Sequence, residues 1–179
     1  MDENTPEQLS QEATSAYQKG DYAQAAISFS AAAEIYDSSN QPLMSAEMRN
    51  NQSVALLLAK DAQGAYQAVA GLEVVFIKAG DMQKLGITYG NQGAALEALD
   101  KLEEAEEKYK LSADKLMKAG ESDLYAELMK SISTLQLRAG RQLEAIASMQ
   151  SGVEDIKNPS LKNRLLKKLL KIPSSLIKK

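Results

Sequence analysis

Apolar residues in this chain recur at the spacing of a helix face rather than in strand-like alternation. The β-branched residues are scattered, and no run alternates for long enough to read as a strand. Polar and glycine positions interrupt the apolar pattern near Gly20, Lys60, Asp100 and Gly140, and again at Asn40, Gly80, Gly120 and Ser160. The intervals predict helices of about 14–18 residues joined by loops of about 2–4, which must fold as antiparallel hairpins. Local signals agree with these ends. Thr5-Pro6-Glu7-Gln8 reads as an N-cap, a proline at the first helical position and a capping box closed by Gln8. The first helix then runs to about Lys19, Gly20-Asp21 ends it and caps the next, and Asp61 and Asp81 cap later helices.

Sliding the sequence by 40 residues superposes its chemistry. Ala25, Ala65, Ala105 and Ala145 align, and four residues after each come Phe29, Val69, Tyr109 and Met149. Twelve residues before the alanines are Ala13, Ser53, Gly93 and Ser133, all small; seven after the large column are Tyr36, Phe76, Leu116 and Ile156. A small residue lets a neighbouring backbone approach, and a large apolar one fills the remaining volume. Repeated at a fixed period, that pairing stacks hairpins into a solenoid. The third unit opens with a helix that keeps Gly86, Gly90 and Gly93 on one stripe. Each costs a helix about 0.8–1 kcal/mol relative to alanine, so the stripe predicts a close approach by a neighbouring helix or a ligand.

These columns resemble the tetratricopeptide repeat family. The first unit matches through Ala13, Gly20-Asp21-Tyr22, Ala25, Phe29 and Ala32, and the third through Gly93, Leu102, Ala105, Tyr109 and Ser112. The second departs at Leu72, where a small residue belongs, and the fourth at Gln142 and Met149. The match covers roughly residues 7–157, and its period of 40 exceeds the family's usual ~34. It is similar to the long-repeat subtype of kinesin light chains and spindle adaptors, with Asn51-Gln52-Ser53 and Asn91-Gln92-Gly93 where those carry Asn-Leu-Gly. The resemblance implies an all-α, right-handed superhelical solenoid of about four helix-turn-helix repeats, spanning about 6–40, 41–80, 81–120 and 121–158. It further implies a single domain whose concave groove holds an extended peptide. Gln11, Asn51 and Asn91 then fall where asparagines bond a ligand main chain, Gly90 where a ligand backbone comes close, and Lys130 and Arg138 where a ligand carboxylate could pair. The Lys/Asn clamp of the chaperone-binding members is missing, since Ser10 and Thr14 stand in its place.

Composition narrows the function. The chain has no cysteine and no histidine, which removes thiolate chemistry, Cys-based zinc sites and Ser-His or Cys-His catalysis. No phosphate loop appears, and Glu103, Glu104, Glu106 and Glu107 read as a solvated helix face with Glu104–Lys108 and Glu106–Lys110 pairs. The expectation is a non-enzymatic adaptor with no cofactor and no metal. No apolar run reaches the ~20 residues of a membrane span, and the acidic start lacks the marks of a signal peptide, so the cytoplasm is the expected compartment. Residues 1–156 carry 24 acids and 13 bases, which argues against nucleic acid as the partner. From Lys157 onward there are eight bases and no acid. Within that segment Leu161, Leu165, Leu169 and Ile172 share a face opposite Arg164, Lys167, Lys168 and Lys171. The segment predicts a C-terminal capping helix over about 160–172 and a tail at 173–179. Its alternatives are a membrane-surface contact or a means of self-association.

Overall fold

The computed structural model describes residues 5–154. It contains α1 (Pro6–Gln18), α2 (Tyr22–Ser38), α3 (Pro42–Leu58), α4 (Ala62–Val69), α5 (Glu73–Ala79), α6 (Met82–Ala98), α7 (Leu102–Ala119), α8 (Ser122–Arg138) and α9 (Gln142–Glu154). No strand occurs among the described residues. None of their helices is long and apolar enough to cross a membrane. Ile156, Ser160, the expected capping helix and the tail lie outside the described residues.

One device ends the helices every 20 residues. Gly20, Asn40, Lys60, Gly80, Asp100, Gly120 and Gly140 all take positive φ, from 55° to 82°. At each, the following residue donates its N–H to a carbonyl five positions back, as in Asp21 to Ala16, Asp61 to Leu56 and Arg141 to Gln136. This is the 6→1 bond of a Schellman motif, which satisfies carbonyls the helix leaves open. The starts are capped as predicted. Thr5 and Gln8 exchange bonds of 3.2 and 2.8 Å in a capping box, and Asp21, Asp61 and Asp81 each accept from the backbone N–H three residues on.

The repeat columns form the packing. Ala25, Ala65, Ala105 and Ala145 are buried to 1% exposure or less. In two hairpins the small column touches them through a hydroxyl: Ser53 Oγ donates to the Ala65 carbonyl and Ser133 Oγ to that of Ala145, each at 2.9 Å. In the third hairpin a Cβ on Gly93 would lie 2.5 Å from the Tyr109 ring. The rest of that glycine stripe faces α7 as well. Ser112 Oγ donates to the Gly86 carbonyl at 2.6 Å, and a Cβ on Gly90 would meet Ser112 Oγ at 3.3 Å.

The second repeat departs from a single B helix and splits into α4 and α5. The cause is Leu72. Its counterparts Ala32 and Ser112 are fully buried, and a Cβ on Gly152 would lie 2.7 Å from Met129 Cβ, so the column holds only small side chains. Leu72 does not fit there. The helix stops at Val69, Gly71 turns through φ +80°, and Leu72 packs instead on the cluster of Ala46, Phe76 and Leu85. Gln92 of α6 repairs the gap, donating to the Val69 carbonyl at 3.0 Å and to Glu73 at 2.8 Å.

The chain divides into two compact units, one up to Ser112 and one from Ala113. In the first, α2 packs on both α1 and α3, and α3 and α4 pack on α6. In the second, α8 and α9 form the hairpin, fastened by Ser133 and by Ser148 Oγ donating to Gln136 at 2.8 Å.

Candidate functional site

The first unit's site is built from what α2 does to its neighbours. Ala13 of α1 and Ala55 of α3 pack in one core cluster with α2, whose Phe29, 5% exposed, lies among them. Above Phe29 remains a pocket of about 280 Å³, walled by Thr14 and Tyr17 of α1 and by Asn51 and Val54 of α3. Tyr17 is held edge-on against Tyr22, with ring centroids 5.4 Å apart. Asn51 is exposed at the rim, and no described residue hydrogen-bonds its side chain. A free amide over an apolar slot can donate to and accept from one peptide unit while the adjoining side chain enters the slot.

The other sequence-predicted residues fall elsewhere. Gln11 is exposed on α1 outside the pocket wall. Asn91 is half-buried. Its Nδ2 donates to Asn50 Oδ1 at 3.0 Å and to the Asn50 carbonyl at 3.4 Å. Asn50, itself buried, donates to Thr88 Oγ1 at 2.9 Å. A buried amide must find partners, and α6 lies close enough to α3 to supply them. At Gly90 an added Cβ would meet Ser112 Oγ at 3.3 Å, so this glycine stands close against α7. Lys130 and Arg138 are both exposed on α8, in the second unit. Among the described residues Lys130 makes no ion pair.

Sequence reading missed Thr14, Tyr17, Val54 and Phe29 as one pocket. The columns contained the signal, since Thr14 and Val54 each follow a small residue by one position and Tyr17 follows Ala13 by four. In the acidic cluster of α7 the expected Glu106–Lys110 pair forms and Glu103, Glu104 and Glu107 are exposed, while Glu106's burial and Glu104's partner differ from expectation. Glu106 is buried and paired with Lys110 at 2.8 Å, Glu104 pairs with Lys101, and Lys108 sits 5.4 Å over the Tyr89 ring.

Charged and polar pairs fasten the helices of the first unit to each other. Arg49 Nη2 donates to Asp37 Oδ2 at 2.7 Å, joining α3 to α2. The Ser45 hydroxyl and Arg49 hold the Asp37 carboxyl below its usual range. A backbone N–H and the Tyr36 hydroxyl, 3.0 Å away, lower Glu7, and burial raises Tyr36. Lys84 pairs with Glu47 across α6 and α3.

Among solved structures, the chain is similar to BtubC (BKLC) from P. vanneervenii. The TM-score is 0.74, covering 89% of this chain and 70% of that one, at 14% sequence identity. At that identity the likeness is one of fold, and it establishes an all-helical repeat architecture. No family model and no curated protein matches the chain.

Proposed function

We propose that the chain is a tetratricopeptide-type adaptor, of the long 40-residue repeat class, that binds an extended segment of a partner protein without catalysing a reaction. The observation that carries this reading is the position of Asn51: an exposed amide with no protein partner, beside an apolar pocket of about 280 Å³ between two A helices. Such a site recognises main chain through the amide and one apolar side chain through Tyr17, Val54 and Phe29. The fold likeness to BtubC (BKLC) is in keeping with a scaffold role. The chain's lack of histidine and cysteine supports a binding role over a catalytic one.

Within this reading Asn51 is the anchor, and Asn91 acts behind it by holding Asn50 in place. Lys130 and Arg138 contribute a separate exposed basic surface on α8. Selection from a random linear-peptide library against the immobilised full chain tests the proposal. Enriched peptides should share one apolar position and lose binding to Asn51→Ala and to Val54→Glu. Enrichment that survives both substitutions would place recognition elsewhere.

A further inference from the structure

A second opening in the first unit shares no lining residue with the Asn51 pocket. It is a cleft of about 680 Å³ between α2 and the α3–α4 turn, lined by Ala26, Ile27 and Ala31 on one side and Gln52, Leu56 and Ala59 on the other. Gln52 and Leu56 lie on a different stripe of α3 from Asn51 and Val54, so the cleft and the pocket are distinct sites. It opens beside the start of α4, which packs on α3 and α6.

Its surface has the relief of a helix seat. Ala23, Ile27 and Ala31 form one i±4 row on α2, and Ala26, Ser30 and Glu34 form the next. Rows of small side chains enclose a shallow groove into which the i±4 ridge of another helix packs. Ile27 is 63% exposed there, a large apolar side chain facing water. On the opposite wall, Gln52 Oε1 is buried and has no hydrogen-bond donor. Gln92 Oε1, one repeat on, is likewise buried without a donor, although its amide nitrogen is engaged by Val69 and Glu73. A buried acceptor without a donor is costly until something supplies one.

The electrostatics select the sign of the guest. Glu34 and Asp61 stand in the lining, neither in an ion pair among the described residues, and no base lines the cleft. Residues 1–112 carry 17 acids and eight bases, so the surrounding field favours a cation.

We propose that this cleft is a second docking site, which takes a cationic amphipathic helix of a partner protein. The guest's apolar i±4 ridge packs between the two rows of α2. Its bases face Glu34 and Asp61. The site differs in kind from the Asn51 pocket, since it reads a helix face and positive charge where the pocket reads extended main chain.

The test uses the full chain and a fluorescent 20-residue peptide with leucine at every fourth position and lysines on the opposite face. Anisotropy should show saturable binding that weakens as salt rises. Ile27→Gln, a change at an exposed position, should weaken binding about tenfold; Glu34→Gln should weaken it several-fold. A peptide with glutamate in place of lysine should not bind. Asn51→Ala should leave the affinity unchanged, which separates this site from the pocket. Absence of saturable binding, equal affinity for Ile27→Gln, or loss of affinity in Asn51→Ala would each overturn the proposal.

Discussion

Gly93 shows how much one position decides. A Cβ there would press 2.5 Å from the Tyr109 ring, and Tyr109 is itself anchored by its hydroxyl to Glu97 at 2.9 Å. Gly93→Ala should therefore destabilise by roughly 1–3 kcal/mol despite alanine's better helix propensity. Ala105→Leu should cost a similar amount for the same reason, since Ala105 is fully buried. Urea denaturation midpoints check both, and unchanged midpoints would contradict the packing register. The small column was legible because size repeats at a fixed period. The buried hydroxyl bonds of Ser53 and Ser133 were not, because a serine in such a column looks the same whether or not its oxygen has a partner. Asp37 supplies a pH prediction. Ser45 and Arg49 lower its folded pKa, so its stabilising effect is present above the ordinary carboxylate value of about 3.9 and is lost as pH falls through the lower folded value. Stability followed by urea denaturation from neutral to acidic pH should fall less steeply for Asp37→Asn than for wild type at the acid end.

Helix ends were the most legible elements, and the broken helix the least. Turn chemistry is local, so a glycine, asparagine or aspartate on a 20-residue beat announces a left-handed cap before any packing is known. Lys60 obeys the beat without suiting it, at φ +66°. Lys60→Gly should relieve a strain of about 1–2 kcal/mol, less glycine's greater loss of chain entropy, and so raise the thermal midpoint. The division of the second B helix into α4 and α5 could not be read from periodicity. Leu72 keeps the helical apolar rhythm, while its counterparts Ala32 and Ser112 are fully buried small residues. Gly71→Ala together with Leu72→Ser should restore a continuous helix, seen as slower amide exchange at residues 70–75 and higher ellipticity. Gly71→Ala alone should destabilise, because it forces a Cβ into positive φ. Unchanged exchange in the double variant would assign the break to something other than Leu72.

At the scale of the molecule, the pairing of helices into hairpins was written in the columns, and the pocket beside Asn51 was not. Asn51 was picked out by its place one repeat before Asn91, yet the two asparagines do different work. α6 lies against α3, so Asn91 serves Asn50, while α1 leaves Asn51 open above Phe29. That distinction depends on how far apart particular helix faces lie, which an alignment of repeats cannot express. Asn91→Ala should accordingly lower stability by about 0.5–1.5 kcal/mol, a typical hydrogen-bond contribution, whereas Asn51→Ala should leave stability unchanged and weaken binding by a similar amount. The central claim is that Asn51 grips main chain, and a double-mutant cycle by calorimetry tests it most directly. A library-selected peptide is compared with versions N-methylated at successive amides, each titrated into wild type and Asn51→Ala. The account predicts that methylation at one amide and the Asn51→Ala change are not additive, with a coupling of about 0.5–1.5 kcal/mol confined to that amide. Strict additivity at every amide would contradict it.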